Sequence, residues 1–278
     1  MKLFEAIDAR HEEIARFRPF SDGNLLEQIR AFYRLEVTWS SNAIEGSSYT
    51  LSETKVLLED GLTAGGKPLA HALAAEGHAR AWDYMFSLLH ADAVSEENLL
   101  FMHGLLQGLE NNAVSGSYRK APVFVTGSRH VPPDFRLVPG AMKRLVEGQG
   151  RLFAKCHPVA AAAKFHKELA FIHPFADGNG RIARLAMNCL LVQRGFLPVS
   201  IPPVLRQIYI ESLERAHVSD ADFIALVARA EYEAQKDFLR MLKESGARPH
   251  GADAPAGPEE GPASWTPESG PESRMPER

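Results

Sequence analysis

The sequence predicts a mostly α-helical fold, and three observations carry that prediction. Apolar residues recur at helical spacing along nearly all of the 278-residue chain, as in Leu25, Ile29, Phe32, Leu35 and Val37. Gly, Pro and Asp punctuate these runs where helices would have to stop and turn. One segment alone breaks the pattern with the short β-branched and aromatic stretch of a strand. At 45% hydrophobic residues the chain can bury one main core, and it shows no internal repeat.

The elements follow in order. The first periodic run begins near residue 23 and closes at Ser41-Asn42-Ala43-Ile44-Glu45-Gly46, where Gly46 supplies the stop. Ser41 and Glu45 stand at i and i+4 on one face. An acid in a last helical turn opposes the helix dipole, so Glu45 calls for a partner. A second run passes through Leu73, Ala81, Tyr84, Met85 and Leu88, and others cover about 95–110, 138–153, 157–172, 180–194, 205–217 and 220–244. The exception is Tyr118 to Gly127, whose Val123-Phe124-Val125 core and the turns at Gly127 and Pro132-Pro133 predict a small β-hairpin. From about Ser245 the composition changes: twelve of the last 34 residues are Pro or Gly, and Trp265 and Met275 are the large apolar residues left. A disordered tail over 245–278 is expected.

Composition excludes several classes of function. A formal net charge of −4 offers no polybasic surface for nucleic acid or for an anionic membrane. The opening Met1-Lys2-Leu3-Phe4-Glu5-Ala6-Ile7-Asp8 carries carboxylates where a secretory segment would be uniformly apolar, and no window is long and apolar enough to span a bilayer. Cys156 and Cys189 form no CxxC pair, which suits a reducing compartment. The expectation is a cytoplasmic protein with two buried, unreactive thiols.

The chemistry concentrates in His173-Pro174-Phe175-Ala176-Asp177-Gly178-Asn179-Gly180-Arg181. Pro174 disfavours helix at the residue before it, so His173 and Asp177 cannot share a regular helical face and a zinc site built on that spacing is not expected. A helix opening near Gly180 presents unpaired N–H groups and a positive dipole end. A phosphate can therefore rest on the Gly178-Asn179-Gly180 backbone, with Arg181 as a planar cationic fork. Asp177, beside that cradle, is suited to Mg²⁺, which prefers one or two carboxylates plus substrate phosphates. Arg184 lies at i+3 from Arg181 and can reach a more distal phosphate. His173 is left as a general base for an incoming hydroxyl. His157 and His166, on or beside the apolar run 157–172, read as satisfied core residues.

These residues resemble a known signature: His173 to Arg181, extended to Arg184, matches every specified position of the HPFxDGNGRxxR motif of the Fic family. Gly116-Ser117-Tyr118-Arg119 and the hairpin after it resemble that family's target-docking flap, and the likeness covers about residues 25–245. The resemblance implies the Fic fold, a helical bundle with a small β-hairpin flap. It would divide the chain into an N-terminal helical region (1–95) with an inhibitory helix at about 23–46, a core (96–244) with flap 116–133 and active-site loop 173–181, and the tail. It implies protein AMPylation, the transfer of AMP from Mg·ATP to a Tyr, Ser or Thr hydroxyl with release of pyrophosphate. His173 would deprotonate the hydroxyl and Asp177 would hold Mg²⁺. Asn179, Gly180 and Arg181 would stabilise α- and β-phosphate charge, and Arg184 would grip the γ-phosphate. Doc-like members that phosphorylate carry Lys where this chain has Gly180, which favours AMP transfer. Tyr209 resembles a position near the base, although a Tyr at helical spacing also reads as core.

Ser41 to Gly46 resembles the family's (S/T)xxxE(G/N) inhibitory motif, in members whose inhibitory helix is N-terminal. Glu45 would then pair with Arg184, displace the γ-phosphate and misalign ATP. Some members with this glutamate also remove AMP, so deAMPylation is a second implied activity. Two alternatives stand beside AMP transfer: a non-catalytic regulatory protein with a locked Fic core, and transfer of another nucleotide by the same loop. The flap would take an unidentified target protein as an added strand, with the chain itself among its targets. Exposed helical faces could support a homodimer.

Overall fold

A computed structural model of the chain describes residues 2–18, 23–125, 128–247 and 249, the side chains of 23–26 excepted. Among these residues there are ten α-helices: α1 (Lys2–Ala15), α2 (Gly23–Ile44), α3 (Leu51–Asp60), α4 (Leu69–Ser87), α5 (Glu96–Gln107), α6 (Val138–Lys155), α7 (Pro158–Ile172), α8 (Asn179–Val192), α9 (Arg206–Arg215) and α10 (Ala221–Glu244). Short 3-10 turns at Phe135–Leu137 and Pro203–Leu205 lead into α6 and α9. The mostly α reading holds, and its eight runs correspond to eight of these helices.

The periodicity reading passed over α1 and α3. In α1 the apolar contribution is narrow, with Ile7 and Ile14 buried on a helix that packs against α10. For α3 the local signal is a cap. Thr50 accepts from the Glu53 N–H at 3.2 Å while the Glu53 carboxylate accepts from the Thr50 N–H at 2.7 Å, a capping box that a T-x-x-E spacing announces.

The main core cluster runs from Ile7 to Leu242 with α8 at its centre, and a small second cluster joins Tyr49, Leu57, Ala72 and Ala75. The α8 residues from Arg181 to Val192 are all buried, because α7, α5, α4 and α2 pack around them. Each fully buried Leu, such as Leu185 or Leu190, contributes about 1.5–3 kcal/mol by leaving water. Two arginines share this buried helix, and a buried guanidinium needs partners. The centre of the fold thus doubles as the place where charges must be matched.

The hairpin expected over 118–127 is not formed: among the described residues of 116–133 none is in a strand. Pro122, Pro132 and Pro133 lack the N–H a ladder needs, and among the described residues no strand lies alongside. Side chains anchor the segment instead. Arg119 donates from its backbone N–H to the Pro174 carbonyl at 2.9 Å, from Nε to the His173 carbonyl at 2.8 Å, and from its guanidinium to the carbonyls of Ala121 and Pro133. Further along, Glu214 accepts from Ser128 and from the Arg129 N–H, and the His130 ring stacks with Phe171 and His217. The turn residue Gly127, the side chain of Leu25 and nearly all of the tail from residue 248 onward lie outside the described residues. Cys189 is buried and its thiol is pushed up to about 12 by burial, whereas Cys156 is only half-buried; both are free.

Candidate active site

The site forms where α7 stops. His173 is the C-cap of α7 at φ 49° and ψ 59°, and it is the sole non-glycine residue with positive φ among the described residues. Pro174 bars it from the helical region, and the left-handed alternative costs about 1–2 kcal/mol. Two bonds hold it there: the His173 N–H donates to Leu169 at 3.1 Å, and its carbonyl accepts from Arg119. Nδ1 lies 3.1 Å from the Ala170 carbonyl, so Nδ1 carries the proton and Nε2 is left as acceptor. The imidazole pKa lies below its ordinary value, chiefly through burial with the charge of Arg119 adding, against the Ala170 carbonyl, which favours the charged ring. A neutral ring with a free Nε2 is what a general base requires.

The chain then reverses into α8. Gly178 caps this helix at φ 78°, and a Cβ there would also sit 2.8 Å from the Gln107 amide nitrogen. Asn179 Oδ1 accepts from the Phe175 N–H and its Nδ2 donates to the Phe175 carbonyl, both at 2.9 Å. The buried Asn179 side chain thus braces the loop. A Cβ at Gly180 would meet the Glu45 carboxylate and lie 3.1 Å from an Arg184 nitrogen, so a side chain there requires these two side-chain ends to move. The first N–H groups of α8 have no intrahelical acceptor, and it is a carboxylate that lies over them.

Arg184, 3% exposed, has its donors assigned. Nε donates to Ser41 Oγ at 2.9 Å, one terminal nitrogen to the Ser41 carbonyl at 2.9 Å and to Glu45 Oε1 at 2.6 Å, and the other to Tyr209 Oη at 3.1 Å. α2 ends at Ile44, so Glu45 stands in the turn beyond it, with Gly46 at φ 100°. Arg206 caps that end by donating to the Ile44 carbonyl at 2.7 Å, which fixes where Glu45 emerges. Tyr209 is 4% exposed, accepts from Arg184 and lies 3.0 Å from His166 Nε2, so it backs the arginine from within the core. Its place on the inner face of α9 is the reason. His166 is fully buried behind it, and His157 caps α7 while pairing with Asp8.

A third group of residues was missed. His103, Gln107 and Glu110 follow one another at i, i+4 and i+7 along α5 and the turn after it, a polar stripe on an otherwise apolar helix. His103 Nε2–H donates to the Asp177 carbonyl at 3.0 Å, its Nδ1 accepts from the Gly116 N–H at 3.0 Å, and its ring stacks on Phe175 at 3.7 Å. Gln107 donates to Asp177 Oδ2 at 3.2 Å. Glu110 accepts from an Arg181 terminal nitrogen at 2.7 Å, while Asp177 Oδ2 lies 3.4 Å from the other. The i, i+4, i+7 spacing was legible; what it faced was not.

The donor set fits Mg²⁺ delivered with a nucleotide. The Asp177 side chain is 72% exposed beside the N-terminus of α8, and no cluster of three or more His, Cys, Asp or Glu occurs among the described residues. A hard cation there would take one carboxylate and complete its shell with phosphate oxygens and water. Among the described residues no helix is long and apolar enough to cross a membrane.

Residues 93–191 match the model of the Fic/DOC family. The chain is 36% identical over 199 residues to "Protein adenylyltransferase Fic" of Nematostella vectensis, covering 69% of this chain and 45% of that protein. It is 31% identical over 235 residues to the protein of the same name in Culex quinquefasciatus, covering 82% and 45%. Its fold is similar to that of Fic-1 (residues 134–508) from C. elegans, with a TM-score of 0.79, 26% identity, and coverage of 88% of this chain and 73% of that one. The chain spans less than half the length of the curated relatives it matches. The loop from His173 to Arg181, the central buried α8 and these matches together show that the chain belongs to the Fic/DOC family.

Proposed function

We propose that the chain is a protein adenylyltransferase that moves AMP from Mg·ATP to a Tyr, Ser or Thr hydroxyl of a target protein, itself among the targets, and that Glu45 restrains it. His173 Nε2 accepts the proton of the target hydroxyl as that oxygen attacks the α-phosphorus. The bond from the α-phosphorus to the bridging oxygen of the β-phosphate breaks, and pyrophosphate leaves. The backbone at Gly178 to Gly180 and the Arg181 guanidinium stabilise the charge that develops on the phosphate oxygens. Asp177 would hold Mg²⁺, which supplies neutralisation of the α- and β-phosphates when bound. The target enters along the segment 116–133, and we place the protein in the cytoplasm, in keeping with its two free thiols.

The observation that carries this proposal is the Glu45 carboxylate, 2.6 Å from Arg184 and stacked over the Gly180 backbone. An anion already occupies the place the γ-phosphate needs, on the donors that would bind it. Arg184 cannot grip a phosphate until Glu45 leaves, and a nucleotide bound without that grip presents its α-phosphate out of line with the attacking oxygen. Incubation with Mg·ATP followed by intact mass tests this. Wild-type protein should gain little adduct of AMP mass, Glu45→Gly should gain it on itself or on lysate proteins, and His173→Ala should abolish it in either background. A Glu45→Gly protein that labels nothing would overturn the proposal.

A further inference from the structure

Arg181 sits between two carboxylates, one against each of its terminal nitrogens. Its guanidinium is buried, its side chain 7% exposed, so it must keep a counter-charge. Glu110, in the turn after α5, holds one terminal nitrogen at 2.7 Å and is itself only 19% exposed. Asp177, four residues before Arg181, stands off at 3.4 Å with its side chain 72% exposed. Gln107 steadies Asp177 Oδ2 from the same stripe at 3.2 Å. The shorter, more buried contact dominates, because attraction rises as distance and local dielectric fall.

We propose that Glu110 is a positioning residue that keeps Asp177 available to a divalent cation by taking up most of the charge of Arg181. This rests on the adenylyltransferase proposal, in which Asp177 is the metal carboxylate. Without the Glu110 charge, Asp177 is the remaining carboxylate within reach of Arg181, and its exposed side chain is free to swing onto the guanidinium. Arg181 and the cation would then compete for the same carboxylate oxygens. The effect belongs to metal affinity rather than to the chemical step.

Mn²⁺ in place of Mg²⁺ gives a readout, since the free ion's EPR signal is lost on binding and the loss to ATP alone is subtracted. In a Glu45→Gly, His173→Ala background with ATP, Glu110→Gln should weaken Mn²⁺ binding by about 3- to 10-fold, or about 0.6–1.4 kcal/mol. Glu110→Asp, which keeps the charge, should fall between it and the parent. In the catalytically intact Glu45→Gly protein, Glu110→Gln should raise the half-saturating Mg²⁺ concentration while the rate at saturating Mg²⁺ is largely retained. Mn²⁺ affinity unchanged by Glu110→Gln but lost in Asp177→Ala would overturn the role of Glu110 and leave the adenylyltransferase proposal standing. A parent protein that binds no Mn²⁺ with ATP would overturn both. Should Glu110→Gln fail to fold, judged by its melting curve, the Glu110→Asp comparison decides.

Discussion

Replacing Glu45 by Gln removes one charge, keeps the side-chain shape, and should move two measurements in opposite directions. The Glu45 side chain is 43% exposed and that of Arg184 is 4% exposed, with 2.6 Å between the paired atoms. A hydrogen bond to a charged group contributes about 1.5–3 kcal/mol, and solvent screening at Glu45 reduces that to about 1–2 kcal/mol. In the wild-type protein the γ-phosphate must displace this contact, so its loss should tighten ATP binding by about 5- to 30-fold. The free protein loses the same contact but gains relief from an acid at a helix C-terminus, about 0.3–1 kcal/mol. Its net loss of about 1 kcal/mol should lower Tm by about 2–4 °C. Ser41 and Tyr209 still hold Arg184, so the guanidinium stays in place for the phosphate. Titration calorimetry with ATP in a His173→Ala background, beside scanning calorimetry of the free proteins, measures both quantities. Unchanged ATP affinity, or a Tm that rises together with tighter binding, would refute the competition between Glu45 and the γ-phosphate.

Further outcomes concern pH and the α5 stripe. The pH–rate profile of Glu45→Gly should have its acid limb centred below the ordinary histidine value of 6.5, because burial favours neutral His173 and the removed carboxylate had favoured the charged ring. A midpoint at or above 6.5 would count against His173 as the base. Burial lowers the pKa of His78 well below the usual value, His103 to about 4 and His166 to about 3, and raises Glu231 to about 8. A depressed histidine contributes stability above its unfolded value that is lost as pH falls below it, whereas Glu231 contributes below its unfolded value and loses this as pH rises through 8. Melting temperatures should therefore peak near pH 6.5, fall steeply toward pH 4.5 and decline gently toward pH 8, and a maximum at pH 5 or below would contradict the burial argument. His103→Ala removes both hydrogen bonds and the Phe175 stack that join loop 173–178 to Gly116, and should cost about 2–4 kcal/mol. Denaturant unfolding checks the stability, and limited proteolysis of 116–133 checks the loosening.

Much of this protein was legible as one-dimensional pattern, because helical periodicity, caps and loop punctuation are local. The placement of α2 and α4 to α10 followed from apolar spacing, and Pro174 announced that the helix before it had to end at His173. The T-x-x-E cap of α3 is equally local. Where the structure departed, tertiary partners had made the decision. The strand-forming residues at 118–125 found no neighbouring strand to pair with, so side chains such as Arg119 organised that segment.

The sequence by itself determined the parts: a base before a proline, a carboxylate, glycines at a helix start, two arginines one turn apart, and an acid at the end of a distant helix that needed a partner. Only the tertiary structure decided which charges meet. Burying α8 forces each of its guanidiniums to find a counter-charge, and packing brought Glu45 from α2 to Arg184 and Glu110 from α5 to Arg181 across 139 and 71 residues of chain. Those pairings depend on how whole helices stack, so no local spacing encodes them, and they set the protein's own carboxylate over the start of α8.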